Sequence, residues 1–198
     1  MVVPHQRQDR VLQAFAQMLE NPCMERITVT MLATQAGVSR ASLYRTFPKR
    51  FQMFEALIEF IEQTLFVRIN QILEKQDEGA AKIEHLILLL LGFSKKNPGM
   101  TRILISDALV GEHRNLQVRI DQLHDRIEVT LKQALRFAIT EQQVSVRFDI
   151  TAQANTMMCF VIGRWYQFVK SGFQRDPLAD WENQRRLVLP SELFKCDG

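Results

Sequence analysis

The segment between Ile27 and Arg50, ITVTMLATQAGVSRASLYRTFPKR, restricts the possible folds of this chain more than any other part of it. Apolar residues at helical spacing precede Gly37, and Leu43 and Phe47 follow it four residues apart. Glycine adopts positive φ angles without steric cost, so Gly37 marks the end of one helix and a tight turn. The segment therefore predicts two short helices joined by a turn.

Residues suited to capping and ending helices flank both predicted helices. Thr28 or Thr30 would cap the first helix, because a hydroxyl oxygen accepts a hydrogen bond from an otherwise unpaired backbone N–H group. Ser39 would cap a second helix over residues 40–47, and Pro48 would end it. This arrangement is typical of the helix-turn-helix, which places its second helix in the major groove of DNA.

The distribution of charge supports the same interpretation. No Asp or Glu occurs between Glu25 and Glu55, although the whole chain has 22 acidic residues and a net charge of +3. DNA is densely anionic, and basic side chains gain affinity for it by displacing its counterions. An ordinary helical hairpin with a solvated basic face is the alternative. The basic residues of this acid-free segment are Arg26, Arg40, Arg45, Lys49 and Arg50.

The motif A-x3-G-V-S followed by LYRTFPKR resembles the DNA-binding signature of the TetR family of bacterial regulators. The resemblance implies that Tyr44 and Arg50 contact phosphates with support from Lys49, and that residues directly after the Ser39 cap reach the bases. Two positions depart from the family pattern, which usually has His at Thr46 and Lys at Arg50. The predicted DNA contacts are Thr28, Ser39, Arg40, Ala41, Ser42, Tyr44, Arg45, Lys49 and Arg50.

Composition and periodicity predict an all-α fold. Eight Gly and six Pro are few for a turn-rich chain of 198 residues, and long stretches follow a 3.6-residue period. We expect a three-helix DNA-binding domain over residues 1–50, begun by a helix over 7–20, and a helical-bundle domain for dimerisation and regulation over 51–198. Further helices are predicted over residues 50–75, 80–97, 100–109, 112–139, 148–172 and 177–189, with a turn at 76–79 and a loop at 140–147.

The sequence predicts a cytosolic protein. No run approaches the roughly 20 apolar residues that a bilayer requires, and the N-terminus lacks the pattern of a signal peptide. Cys23, Cys159 and Cys196 are too widely and irregularly spaced for a disulfide framework or a zinc site.

Catalysis, a cofactor and a metal are not predicted. The sequence has no Ser/His/Asp order, Gly-rich phosphate loop or zinc spacing that would indicate an enzyme. Asp121, His124 and Asp125 lie at near-helical spacing and could in principle bind a metal ion. Three such residues on a heavily charged helix are more typical of a solvated face.

The last two predicted helices are rich in Met, Phe and Trp, which are enriched at protein interfaces. They would either form a homodimer interface or cover the core of the monomer. We expect a homodimer, because one recognition helix reads too few bases for useful specificity. Two-fold dimers read half-sites about one helical turn apart.

The segments FEALIEFIE, VRINQILEK and LLLLGFSKKNPGMTRIL resemble the nucleoid occlusion factors of the TetR family. This resemblance implies a nucleoid-associated protein that binds chromosomal palindromes and, when bound to DNA, inhibits division-ring assembly through the tubulin-like protein FtsZ. It also implies a groove for the FtsZ C-terminal tail between the helices predicted over residues 50–75 and 80–97. The residues that match this groove are Phe60, Arg68, Leu89, Gly92, Lys96 and Asn97.

The chemistry of these residues suits an acidic peptide. Gly92 would open space, and Phe60 and Leu89 would offer apolar walls. Arg68 and Lys96 would attract carboxylates. Lys96 stands where these factors usually have Arg, so a bidentate contact becomes a point-charge contact.

A ligand-responsive TetR-type repressor is the alternative function. Its apolar ligand pocket would be lined by residues such as Phe93, Met157 and Trp165. The same three residues would equally make a good core.

Overall fold

Every regular element in the described part of the computed structural model is helical, which confirms the all-α prediction. The description covers residues 4–21, 27–75 and 77–194, with side chains from Gln8 onward. Predictions that concern Cys23, Arg26, Gln76 and Cys196 lie outside it. The helices are α1 (Pro4–Leu19), α2 (Val29–Ala36), α3 (Arg40–Thr46), α4 (Arg50–Glu74), α5 (Gly79–Lys96), α6 (Pro98–Leu104), α7 (Arg114–Gln142), α8 (Ile150–Lys170) and α9 (Trp181–Val188), with a 3-10 turn at Asp107–Leu109.

Three predicted elements have different bounds in the structure. The helix predicted over residues 100–109 is α6 followed by the 3-10 turn. Pro98 opens α6 in its first turn, where no backbone N–H is required, and Ser106 breaks the helical path with a φ of 60°. The predicted loop at 140–147 begins late, because α7 continues to Gln142. The last helix begins at Trp181, after the left-handed Asp180 with a φ of 58°.

The first of two compact units comprises residues 1–63 and 97–120. Within it α6 lies close against α1 at Gly99, where an added Cβ would clash with the carbonyl oxygen of Ala16. A side chain is therefore excluded at this crossing. The fully or nearly buried apolar residues of this unit include Val11, Leu12, Phe15, Leu32, Leu43, Phe54, Leu57, Ile103 and Leu116.

The second compact unit comprises residues 64–96 and 121–198. Trp165 of α8 is fully buried, and its indole Nε1–H donates a hydrogen bond to the carbonyl oxygen of Leu90 in α5 at 3.1 Å. The residues Leu123, Ile127, Leu131 and Leu135 of α7 recur at helical spacing and are buried. Other core residues of this unit include Leu86, Leu90, Leu91, Met157 and Val161.

The division into two units differs from the predicted domain boundary at residue 50. The first part of α4 belongs to the same unit as α1–α3, together with α6 and the start of α7. The boundary at residue 50 therefore stays a prediction. Among the residues described, no helix combines the length and apolar character needed to cross a bilayer.

Candidate nucleic-acid interface and partner-binding residues

The turn between α2 and α3 has the local geometry that the sequence predicts. Thr28 caps α2, because its hydroxyl oxygen accepts a hydrogen bond from the N–H of Met31 at 3.2 Å. Gly37 then turns the chain in the left-handed region, with φ 64° and ψ 37°. Ser39 caps α3 by accepting a hydrogen bond from the N–H of Ser42 at 3.2 Å. Of the two threonines considered as caps, Thr28 performs this role.

The outward side of α3 is exposed and carries no acidic residue. Leu43 and Phe47 fix the inner side, with 2% and 6% of their surface exposed. Because residues three or four positions apart share a helix face, the remaining positions point away from this contact. Tyr44 is 53% exposed. The exposed predicted contacts on α3 are Arg40, Ala41, Tyr44 and Arg45.

The hydroxyl groups of the predicted set have different roles. Thr28 and Ser39 are exposed, and each uses an oxygen lone pair for its cap, so the O–H group can still donate to an anion. Ser42 is half-buried. Thr46 donates its hydroxyl hydrogen to the carbonyl oxygen of Ser42 at 3.1 Å, within the helix. The hydroxyl that replaces the family's usual imidazole is thus used locally.

Lys49 and Arg50 lie at the start of α4 in different environments. The Lys49 backbone N–H donates to Oε1 of Gln52 at 2.9 Å, which caps the helix and leaves the Lys49 side chain exposed. Arg50 donates from Nε to Oε1 of Glu112 at 2.7 Å and from Nη1 to the carbonyl oxygen of Ile27, also at 2.7 Å. The predicted phosphate contact therefore has two acceptors within the protein.

Sequence reasoning did not identify Glu112 as part of this interface. It is separated from Arg50 by 62 positions and precedes α7. No helical periodicity links residues so far apart, so the pair becomes visible only in the folded chain. The sequence gives only an indirect indication of such a pair. The acid-free segment contains no carboxylate that could pair with its cations, so any acidic partner must come from elsewhere in the chain.

Four of the six predicted partner-binding residues belong to the second unit. Arg68 on α4 and Lys96 at the end of α5 are exposed, whereas Leu89 and Gly92 are half-buried on α5. A Cβ built on Gly92 meets no other atom within 4 Å, so the surface at this position is open. Cationic, apolar and open surface thus occur within this one unit.

The other two predicted partner-binding residues belong to the first unit. Phe60 is half-buried and lines a cavity of about 210 Å³ together with Leu12 and Ala56. Asn97 precedes α6, and its carbonyl oxygen accepts a hydrogen bond from the N–H of Thr101 at 3.0 Å. That the six residues act together stays a prediction.

Lys95, the neighbour of Lys96, is held in an ion pair within the second unit. Its Nζ donates to Oδ2 of Asp176 at 2.6 Å. This hydrogen bond is the main cause that lowers the pKa of Asp176, and a second hydrogen bond from the Leu178 N–H acts in the same direction. The two lysines at the end of α5 therefore differ in environment.

The residues of the alternative ligand pocket are part of the core. Phe93, Met157 and Trp165 are 8%, 0% and 0% exposed. The indole N–H of Trp165 is already used by a backbone carbonyl. Their packing favours the simpler interpretation, in which they stabilise the fold.

The residues considered as metal ligands lie on α7. Asp121 and Asp125 are exposed, and the ring of His124 packs against Trp165 with centroids 5.9 Å apart. Within the described ranges, no group of three His, Cys, Asp or Glu side chains is arranged to hold a metal ion.

The sequence of the chain is similar to one family model and to a group of proteins that share one name. Residues 77–191 match the family model for the SlmA-like, tetracyclin repressor-like C-terminal domain. The nucleoid occlusion factor SlmA of Marinomonas sp. (strain MWYL1) is 46% identical over 90% of both chains. The factor of the same name from Alteromonas mediterranea is 45% identical over 90% of this chain and 91% of its own.

Solved structures with the same fold are much more distant in sequence. The fatty acid degradation regulator FadR from Bacillus halodurans has a TM-score of 0.77 at 15% identity and covers 96% of each chain. A TetR transcription regulator from Haloarcula marismortui has a TM-score of 0.76 at 16% identity, covering 93% of this chain and 95% of its own. At such low identity these similarities show the fold alone.

Proposed function

The chain belongs to the SlmA-like family of TetR-type regulators, whose named relatives are nucleoid occlusion factors, and from this we propose how it acts. A homodimer binds a palindromic site on the chromosome. The DNA-bound dimer then inhibits division-ring assembly by binding the C-terminal tail of FtsZ.

The outward surface of α3 carries the DNA-binding part of the proposal. It presents Arg40, Ala41, Tyr44 and Arg45 on a short helix whose start is fixed by the Ser39 cap. A basic helix that lies exposed after a glycine turn fits the major groove. Lys49 and the Thr28 and Ser39 hydroxyls supply donors for the phosphates on either side.

The FtsZ part of the proposal is supported by the chemistry of the second unit. An acidic tail would find two exposed cations, Arg68 and Lys96, and an apolar, open surface at Leu89 and Gly92. The family resemblance adds Phe60 and Asn97, which belong to the first unit.

The side of α8 that supports the proposed homodimer is not the apolar side considered in the sequence analysis. The Met and Trp residues of α8 are in the core of the protomer, and so they do not supply the interface. The opposite side of α8 is exposed and includes Cys159, Gly163 and Tyr166. Small side chains beside an aromatic one allow close approach of a second copy.

The experiment that tests the proposal is FtsZ sedimentation with and without a cognate palindrome, which is first obtained by selection from random duplexes. We expect loss of FtsZ polymer only when protein and palindrome are both present. Arg40→Ala/Tyr44→Ala is the matched control, because both side chains are exposed and their removal should spare the fold while DNA binding is lost.

Other outcomes would change the proposal. Loss of FtsZ polymer without DNA would remove the requirement for a palindrome. Tight DNA binding with no effect on FtsZ would return the protein to the ligand-responsive repressors, the alternative function. Failure to select any duplex would remove the DNA-binding role itself.

A further inference from the structure

Arg50 is the one predicted phosphate contact that the described structure pairs with a carboxylate. Its Nε lies 2.7 Å from Oε1 of Glu112, and the two side chains are 41% and 16% exposed. The carboxylate is thus more enclosed than the arginine that it neutralises. A second hydrogen bond, from Nη1 to the carbonyl oxygen of Ile27 at 2.7 Å, holds the guanidinium in place from the other side.

The packing around this pair fixes both partners. The guanidinium of Arg50 lies over the ring of Phe54, 5.4 Å from its centroid. Next to Glu112, the ring of His113 packs against Phe51 with centroids 5.7 Å apart. Two successive residues before α7 therefore contact two successive residues at the start of α4. All of these residues lie within the first unit.

A paired arginine does not act on DNA as a free cation does. Guanidinium has five N–H donors, and the hydrogen bonds to Glu112 and Ile27 use two of them, so Arg50 can still reach an anion. The net charge of the pair is nevertheless zero. Counterion release depends on the positive charge brought to the phosphates, and a neutral pair contributes none.

We propose that Glu112 is an electrostatic brake on DNA binding, which cancels the charge of Arg50 and so lowers the sequence-independent part of the affinity. The proposal rests on the proposed DNA-binding function. A brake of this kind acts on all duplexes alike and leaves the base contacts of α3 to decide where the protein stays bound.

The salt dependence of binding to a short duplex of arbitrary sequence tests this role. Glu112→Gln keeps the size of the side chain and removes its charge. We expect the slope of log K against log salt to steepen by about 0.9 per protomer, with affinity at 0.1 M salt raised about eightfold for each phosphate that the freed guanidinium neutralises. Arg50→Ala/Glu112→Gln should not show this increase, because the released charge is then absent.

A matched control comes from a second ion pair in the same unit. Glu62 accepts a hydrogen bond from Arg119 at 2.8 Å, and Arg119 is outside the predicted DNA contacts. Glu62→Gln also removes one negative charge and should leave the slope at the wild-type value. Thermal unfolding of each variant checks that the fold persists.

The outcomes separate the brake from the function on which it rests. An unchanged slope for Glu112→Gln with intact DNA binding would overturn the brake alone. So would an equal steepening in Glu62→Gln, since the effect would then reflect net charge. If neither wild type nor Glu112→Gln binds any duplex at low salt, both the brake and the DNA-binding proposal are wrong. Binding by Glu112→Gln alone would support both.

Discussion

Two substitutions of Gly92 separate the effect of an added side chain from the effect of an added negative charge. The residue lies inside α5, where glycine lowers helix stability by about 1 kcal/mol relative to alanine. Because an added Cβ meets no atom within 4 Å, both Gly92→Ala and Gly92→Glu should keep or raise the melting temperature. Only Gly92→Glu adds a carboxylate one turn before Lys96, and this charge should repel an acidic FtsZ tail.

Binding of an FtsZ tail peptide, followed by fluorescence anisotropy, measures the difference. We expect Gly92→Ala to bind, Gly92→Glu to lose binding, and both variants to retain DNA affinity. Equal binding by the two variants would mean that the tail lies elsewhere. A lowered melting temperature in both would mean that the space around Gly92 is filled in solution.

The ion pair of Asp176 and Lys95 predicts a pH-dependent contribution to stability. The pKa of Asp176 is lowered in the folded state, chiefly by the hydrogen bond from Lys95. A lowered carboxyl pKa stabilises the fold above the ordinary pKa, and this stabilisation is lost as the pH falls through the folded-state pKa. Asp176→Asn should therefore lower stability at neutral pH by less than about 1 kcal/mol, because the pair is partly exposed.

Urea unfolding at several pH values checks this expectation for Asp176. The difference between wild type and Asp176→Asn should shrink in acid and vanish once the carboxyl is protonated. Lys95→Met should reduce the same pH dependence, since it removes the main cause of the shift. A difference that is constant across pH would assign the effect to packing of the loop before α9.

At the scale of single elements, the Ser39 cap joins the stability of α3 to its position against DNA. Ser39→Ala removes the acceptor for the Ser42 N–H and should cost about 0.5–2 kcal/mol, with weaker DNA binding because α3 has only seven residues. Ser39→Asp keeps a capping oxygen, and its negative charge interacts favourably with the helix dipole at the N-terminus of α3. It also brings a negative charge to the phosphates.

The two Ser39 variants should therefore dissociate stability from binding. Chemical denaturation should show a loss for Ser39→Ala and none for Ser39→Asp. A gel-shift or anisotropy titration should show weaker DNA binding for both, and more strongly for Ser39→Asp at low salt. Wild-type DNA affinity in Ser39→Asp would remove Ser39 from the DNA-facing surface.

The elements that the sequence predicted well are those governed by local chemistry. The caps of α2 and α3 and the turn at Gly37 depend on residues a few positions apart, and they match the structure. The errors occur where one residue changes the backbone path, as Ser106 does after α6. Contacts between residues far apart in the sequence could not be predicted, because periodicity identifies the buried face of a helix but not the element that packs against it. The pair of Arg50 and Glu112 is the clearest case.

For the whole molecule, the same limit explains why the sequence left open whether the apolar residues of α8 form an interface or cover the core. Met157, Met158 and Trp165 are buried within the protomer, although their residue types are typical of interfaces as well. Large exposed apolar side chains remain at Tyr166 on α8 and Leu187 on α9, which are 55% and 85% exposed. An interface between two copies would thus use the side of α8 that the core leaves uncovered.

Gly163→Glu tests this assignment and its consequence for DNA recognition. Gly163 is exposed on α8, and an added Cβ meets no atom within 4 Å, so the protomer should fold normally. In a symmetric dimer the new carboxylate would occur twice in one interface, where unpaired buried charge is strongly unfavourable. Light scattering should therefore show a monomer, and affinity for the palindrome should fall while affinity for a single half-site persists.

Gln71→Glu adds the same charge at an exposed position on α4 and should remain dimeric. A dimeric Gly163→Glu would place the interface elsewhere, whereas a monomer with full palindrome affinity would mean that each protomer reads its half-site independently.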